Sequence, residues 1–190
     1  MELFHGSNIS VPKPELLDSL RGLDFGRGFY ATSNREQAKR FTENVVRRKK
    51  WGERTVTIYE VNEIELFDAC SLLKFGSADE KWLDFVVQNR TLSYKGKAYD
   101  VIAGPVANDA VFNVIDLYLD GILDKKETIK RLKIRELFNQ WAFCSKKAIS
   151  FLVTTQVAYF IANHKSNKNS PCENLVFFVS SWYFSNHKGT

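Results

Sequence analysis

Three cysteines in 190 residues (Cys70, Cys144 and Cys172) are too few for a disulfide scaffold, and their spacing suits no metal site. An odd count of this kind points to a reducing compartment, hence to a cytoplasmic protein. Only three histidines occur (His5, His164 and His187), which leaves little material for a multi-histidine metal centre or a Ser-His-Asp triad. No Walker loop, GxSxG, HExxH or CxxC pair is present. The N-terminus, MELFHGSNIS, lacks a basic region followed by an apolar run, so no signal peptide is expected. No apolar run reaches the ~20 residues of a membrane span.

What is abundant is aromatic. Fifteen Phe, seven Tyr and four Trp need an interior, which excludes disorder, collagen and coiled coil. Charge is unevenly spread. The net +5 comes from 27 basic and 22 acidic residues. Arg35, Lys39, Arg40, Arg47, Arg48, Lys49, Lys50 and Arg54 face only Glu36, Glu43 and Glu53 within one stretch of chain, so the rest is neutral. Such a run reads either as the solvated face of a helix or as a platform for nucleic acid or an acidic partner. By contrast, residues 151–190 carry just four charges (Lys165, Lys168, Glu173 and Lys188), so the composition changes near 150.

Local patterns predict interspersed elements, and so an α+β fold rather than a doubly wound sheet. Glu2–His5 reads as a strand ending at His5-Gly6-Ser7, and Glu15–Leu20 as a short helix. Gly26–Thr32 is a turn running into a strand. Ser33-Asn-Arg-Glu36 looks like a capping box, with Ala38, Phe41 and Val45 at helical spacing behind it. Thr55–Val61 is β-branched and should be a strand. Ser77-Ala-Asp-Glu80 opens a helix bearing Trp82, Phe85 and Val86. Tyr99–Ala103 is a strand closed by Gly104-Pro105. Helices are expected at Asp109–Leu119 and Lys125–Leu132, a strand at Gln140–Cys144, and a final helix from Lys146.

Singly, the candidate site residues have plain readings: His5 at the end of an edge strand, Tyr30 facing a core, Asn108-Asp109 as a helix cap. In order they say more. Phe4-His5-Gly6-Ser7, Asp24-Phe25-Gly26-Arg27-Gly28-Phe29-Tyr30, Trp82-Leu83 through Asn89-Arg90, Tyr99-Asp100 through Asn108-Asp109, and Gln140-x-x-Phe143 resemble the ADP-ribosyltransferase superfamily. The likeness is to its diphtheria-toxin-like and poly-ADP-ribose-polymerase-like branch, and more closely to a bacterial family of unknown function within it.

That resemblance covers about residues 2–150. It implies a split-sheet core that binds NAD+ as substrate without a metal, and transfers ADP-ribose to a macromolecule, protein or nucleic acid. It also implies a toxin with a small antitoxin protein as partner. Residues 1–150 would form the NAD-binding domain and 151–190 a C-terminal extension. By resemblance, His5 would hold ribose hydroxyls, the Gly6 backbone the carboxamide, and Tyr30 the nicotinamide ring. His5, Tyr30 and Gln140 would be catalytic. Gly6, Ser7, Arg27, Gly28, Asn89, Arg90, Asn108 and Asp109 would join His5 and Tyr30 in binding the cofactor. Gln140 stands where many relatives carry glutamate, and glutamine cannot act as a general base. Glu136 or Asp109 would have to supply one, or the chain would bind NAD+ without transfer.

Overall fold

The computed structural model describes residues 1–16, 22–106, 109–133, 138–160 and 176–180. Its contacts divide the chain into two compact units, each assembled from separated stretches. One boundary between them falls at Phe151/Leu152, beside the compositional change near 150. Unit 1 takes Met1–Pro14, Ala31–Asn62 and Leu152–Thr190, and unit 2 takes Glu15–Tyr30 and Glu63–Phe151.

Unit 1 is built on antiparallel strands. β1 (Glu2–Ser7) pairs with β3 (Arg54–Glu60) along its whole length, from Glu2↔Glu60 to Ser7↔Thr55. On its other side β1 meets β2 (Phe29–Thr32) at Phe4↔Thr32. β3 pairs in turn with β7 (Val153–Phe160), and β7 with β8 (Val176–Ser180). Of the stretch expected as a C-terminal extension, Val153–Phe160 and Val176–Ser180 are thus strands of this sheet. β1 also runs past its expected end, so His5 sits mid-strand opposite Thr57.

Helix α1 (Arg35–Lys49) covers one face of this sheet. Its cap is Asn34, whose side chain accepts from the Gln37 N–H at 2.9 Å, and not the expected Ser33. The buried stripe is Ala38, Thr42 and Val45. Phe4, Val56, Ile58, Ala158 and Phe160 complete that core with Ala38. Phe41, expected inside, is 50 % exposed. Thr42 takes its place because its hydroxyl is satisfied by the Lys39 carbonyl at 2.6 Å, so burial leaves no polar group stranded.

Unit 2 contains β4 (Leu72–Lys74), β5 (Val101–Val106) and β6 (Phe138–Phe143), with β4–β5 parallel and β5–β6 antiparallel. α2 (Glu63–Ala69), α3 (Glu80–Arg90), α4 (Asp109–Leu119), α5 (Lys125–Lys133) and α6 (Lys146–Ile149) flank them. Trp82, Leu83, Phe85 and Val86 of α3 pack with Phe25, Ile102, Ile115 and Leu132. α3 is capped by Asp79 rather than Ser77. β5 continues through Gly104-Pro105 instead of ending there. Proline is tolerated because the β4 ladder stops at Ala103, and the Pro105 carbonyl accepts from the buried Trp82 indole at 3.0 Å. β6 begins at Phe138, which puts Gln140 inside the strand opposite Gly104. The final helix from Lys146 is a single turn, and of the expected Glu15–Leu20 helix residues 15–16 are not helical, the rest lying outside the described residues. Among the described residues no helix is long and apolar enough to cross a membrane.

Asp100 joins three parts of unit 2. Its carboxylate accepts from the Ser71 amide and hydroxyl, both at 2.9 Å, and from Ser145, the cap of α6. The Ser145 and Ser71 donors hold its pKa below the ordinary aspartate value. A depressed folded pKa stabilises the fold above the unfolded value, and that contribution is lost as pH falls through the folded one. Asp100→Asn should therefore cost about 1.5–3 kcal/mol at pH 7. In urea denaturation the gap from the parent should narrow below about pH 4; a gap independent of pH would contradict this role.

Candidate functional site

In unit 1 the stretch His5-Gly6-Ser7-Asn8 is an anchoring device. Gly6 receives α1: a β-carbon there would lie 2.2 Å from the Ala38 carbonyl oxygen. Asn8, buried, donates to the Trp51 carbonyl at 3.2 Å and accepts from the Glu53 amide at 2.8 Å, so it fixes the turn between α1 and β3. The Ser7 hydroxyl reaches the Asn8 side-chain oxygen at 3.5 Å. His5, half-buried, shares its sheet face with Thr57, as directly paired residues do. The chain after β1 folds back over that face. The Val11 amide donates to the Thr57 hydroxyl at 3.0 Å, and the Tyr59 hydroxyl donates to the Val11 carbonyl at 2.5 Å.

In unit 2 the stretch Asp24–Tyr30 forms a braced loop. Gly26 has φ +75°, a left-handed conformation that favours glycine, and a β-carbon there would come 2.7 Å from the Asn89 side-chain oxygen. Asn89 is itself fixed by donating to the Phe85 carbonyl at 2.9 Å. Arg90, with 7 % of its side chain exposed, donates through Nε to Asp24 at 2.7 Å and through Nη1 to Asp116 at 3.3 Å. Arg90 thus braces the loop through Asp24, while Asn89 lies close enough to Gly26 to leave no room for a side chain there. Gly28 lies close against β6 and the residue after it, where a β-carbon would meet the Phe143 carbonyl oxygen at 3.0 Å and the Cys144 sulfur at 3.3 Å. Between these fixed points Arg27 is exposed.

Tyr30 closes the loop, its hydroxyl donating to the Gly26 carbonyl while its ring packs against the unit 2 core. Burial, with smaller effects from Cys144 and Asp24, pushes its hydroxyl far above the ordinary tyrosine range. Tyr30 is therefore neutral near pH 7 and is not a base. Cys144 is likewise protonated: burial, then the nearby Asp100 charge, push its thiol up to about 12. Neither group is an activated nucleophile. Gln140 is half-buried on β6. Of the remaining candidates, Asn108 and Glu136 lie outside the described residues, as does the side chain of Asp109, which opens α4.

Two residues bearing on the site were not candidates from sequence: Asp24, the partner of Arg90, and Asn8, the anchor of the α1–β3 turn. Their signal was present, since Asp24 lies inside the Gly-rich stretch and Asn8 directly follows His5-Gly6-Ser7. What was missing was the partner, 66 residues away in one case and 43 in the other.

Residues 1–153 match the model of a family described as a protein of unknown function, DUF3990. The chain belongs to the DUF3990 family. The match takes in every anchoring contact described above in both units, from Gly6 and Asn8 to Arg90 and Gln140, together with the first residue of β7. No curated protein and no solved structure matches the chain.

Proposed function

We propose that this DUF3990 chain is an NAD+-dependent ADP-ribosyltransferase with an ADP-ribosyltransferase-like core, acting as a bacterial toxin on a macromolecular acceptor, with a small antitoxin protein as its partner. The observation that carries the reading is the loop Asp24–Tyr30. The residues singled out by resemblance are held there by several independent contacts, leaving Arg27 exposed and Tyr30 uncharged. Such preorganisation suits a reaction in which binding and charge placement do most of the work.

In that reaction the bond between ribose C1 and the nicotinamide nitrogen breaks, and its electron pair leaves with nicotinamide. The acceptor's nucleophile bonds to C1 and gives up its proton. Tyr30 would stack on the cationic nicotinamide ring through its π face, a contact worth ~0.5–2 kcal/mol. His5 and Gln140 would orient ribose hydroxyls. A neutral glutamine takes no proton, so a carboxylate such as Asp109 or Glu136 would accept it. If neither does, the chain binds NAD+ without transferring ADP-ribose.

Titration calorimetry with NAD+ separates these outcomes. Tyr30→Phe should keep affinity within about twofold, because the ring face remains, whereas Tyr30→Ala should weaken it by roughly 2–30-fold. Nicotinamide release by the parent should be lost in His5→Ala. Binding without release would leave a non-catalytic module, and no heat of binding at all would end the NAD+ reading.

A further inference from the structure

We propose that the outer face of α1, with the turn that follows it, is a docking surface for single-stranded nucleic acid. The sequence placed a surplus of positive charge here, and the structure adds the two observations that select a partner. The first is Phe41, which faces outward at 50 % exposure, and the second is Trp51 at 56 %. Buried rings would have left only charge. Two exposed rings flanking cations form the combination that unstacked bases and a phosphate backbone require together.

At about 100° per residue, Arg47, Arg40, Asn44, Arg48 and Phe41 fall within an arc of roughly 120° that runs from the side of α1 opposite Ala38, Thr42 and Val45 round to Phe41 at the edge of that buried stripe. Glu36 and Glu43 lie at one margin of that arc. Glu43 is occupied by Arg54 at 2.6 Å, so its charge is already matched. Arg47 donates to Asn44 at 2.8 Å, which sets the direction of its guanidinium. Arg40, Arg47, Arg48, Lys49 and Lys50 make no ion pair with an acidic side chain among the described residues.

Trp51 is held by its backbone. Lys50 adopts φ 61° as the left-handed cap of α1, and its amide donates to the Val46 carbonyl at 2.8 Å. The buried Asn8 then ties down the Trp51 carbonyl, while Gly52, at φ +84°, lies too near Asn8 for any β-carbon. The indole is thus exposed on a fixed support, which lowers the entropic cost of stacking on it. From Arg40 to Lys50 the cationic face is about 15 Å long. A duplex keeps its bases stacked away from such rings.

The test is fluorescence anisotropy of the full chain with a fluorescein-labelled oligouridine across a salt series. Binding should weaken with salt. The triple variant Arg40→Gln/Arg47→Gln/Arg48→Gln should reduce the log–log slope by about 2, at roughly 0.7 per phosphate contact. Phe41→Ala or Trp51→Ala should each weaken binding at least about fivefold with the slope unchanged. All these side chains are exposed, so the variants should melt with the parent by circular dichroism. No binding to the oligonucleotide would overturn the proposal. So would aromatic variants that bind like the parent, or equal competition by polyglutamate, which would mark a surface for acidic protein. The inference stands apart from the NAD+ reading, since all these variants should titrate with NAD+ as the parent does.

Discussion

Arg90→Ala is expected to destabilise the chain by about 3–5 kcal/mol, because it leaves a largely buried carboxylate without its counter-charge. The pair is well shielded, with Arg90 7 % and Asp24 13 % exposed in their side chains and 2.7 Å between them. Asp116 cannot substitute for this interaction, since it is 46 % exposed and 3.3 Å away. Arg90→Lys should recover only part of the loss, as an ammonium lacks the fork that reaches both acids. Urea denaturation of Arg90→Ala, Asp24→Asn and the double variant measures the coupling. The double variant should lose distinctly less than the sum of the singles. Strict additivity would mean that the two residues do not act as a pair. Because Asp24 opens the loop ending at Tyr30, the same substitution should weaken any ligand that the loop binds.

Gly6→Ala should be nearly as damaging, at about 3 kcal/mol or more, from one methyl group. For a chain of this size that corresponds to a fall in Tm of about 6–12 °C. The new carbon would meet the Ala38 carbonyl oxygen at 2.2 Å, and backbone cannot change rotamer to make room. α1 would have to lift from β1, separating Ala38 from Phe4, Val56 and Ile58. The nearest side-chain atom, Thr42 Cγ2, lies at 3.3 Å, so a Thr42→Ser background should not rescue the variant. Rescue by that change would place the conflict at the side chain and contradict the account. Gly6 is for the same reason a poor probe of ligand contact, since its substitution disturbs the fold directly.

Elements carried by one strong local pattern were legible in the sequence. β3 followed from its β-branched run and α3 from the spacing of Trp82, Phe85 and Val86. The face of α1 was misjudged because Phe41 fits helical spacing from Ala38, while the buried partner is a threonine whose hydroxyl bonds back to its own helix. α2 gave no periodic signal, since only Leu66 among its seven residues is buried. Gly104-Pro105 reads locally as a stop, yet the strand continues because β6 pairs alongside it. The candidate site was legible as a set of residues but not as a set of contacts. Asn89 and Arg90 look like ligands for a cofactor when read in line, and only the fold shows Arg90 paired with Asp24 and Asn89 packed close to Gly26.

The pairing of β3 with β7 also sets an order of events for the growing chain. Arg54 meets Phe160, so the ladder beside β3 cannot close until more than a hundred further residues have been made. Closing so long a loop costs entropy before any contact repays it, which slows the step. Until then β3 can pair only with β1, and its other edge is an open template carrying Val56, Ile58 and Tyr59. Synthesis interrupted between residues 62 and 152 would leave that edge exposed, and the stalled product should self-associate through it rather than persist as a half-folded monomer.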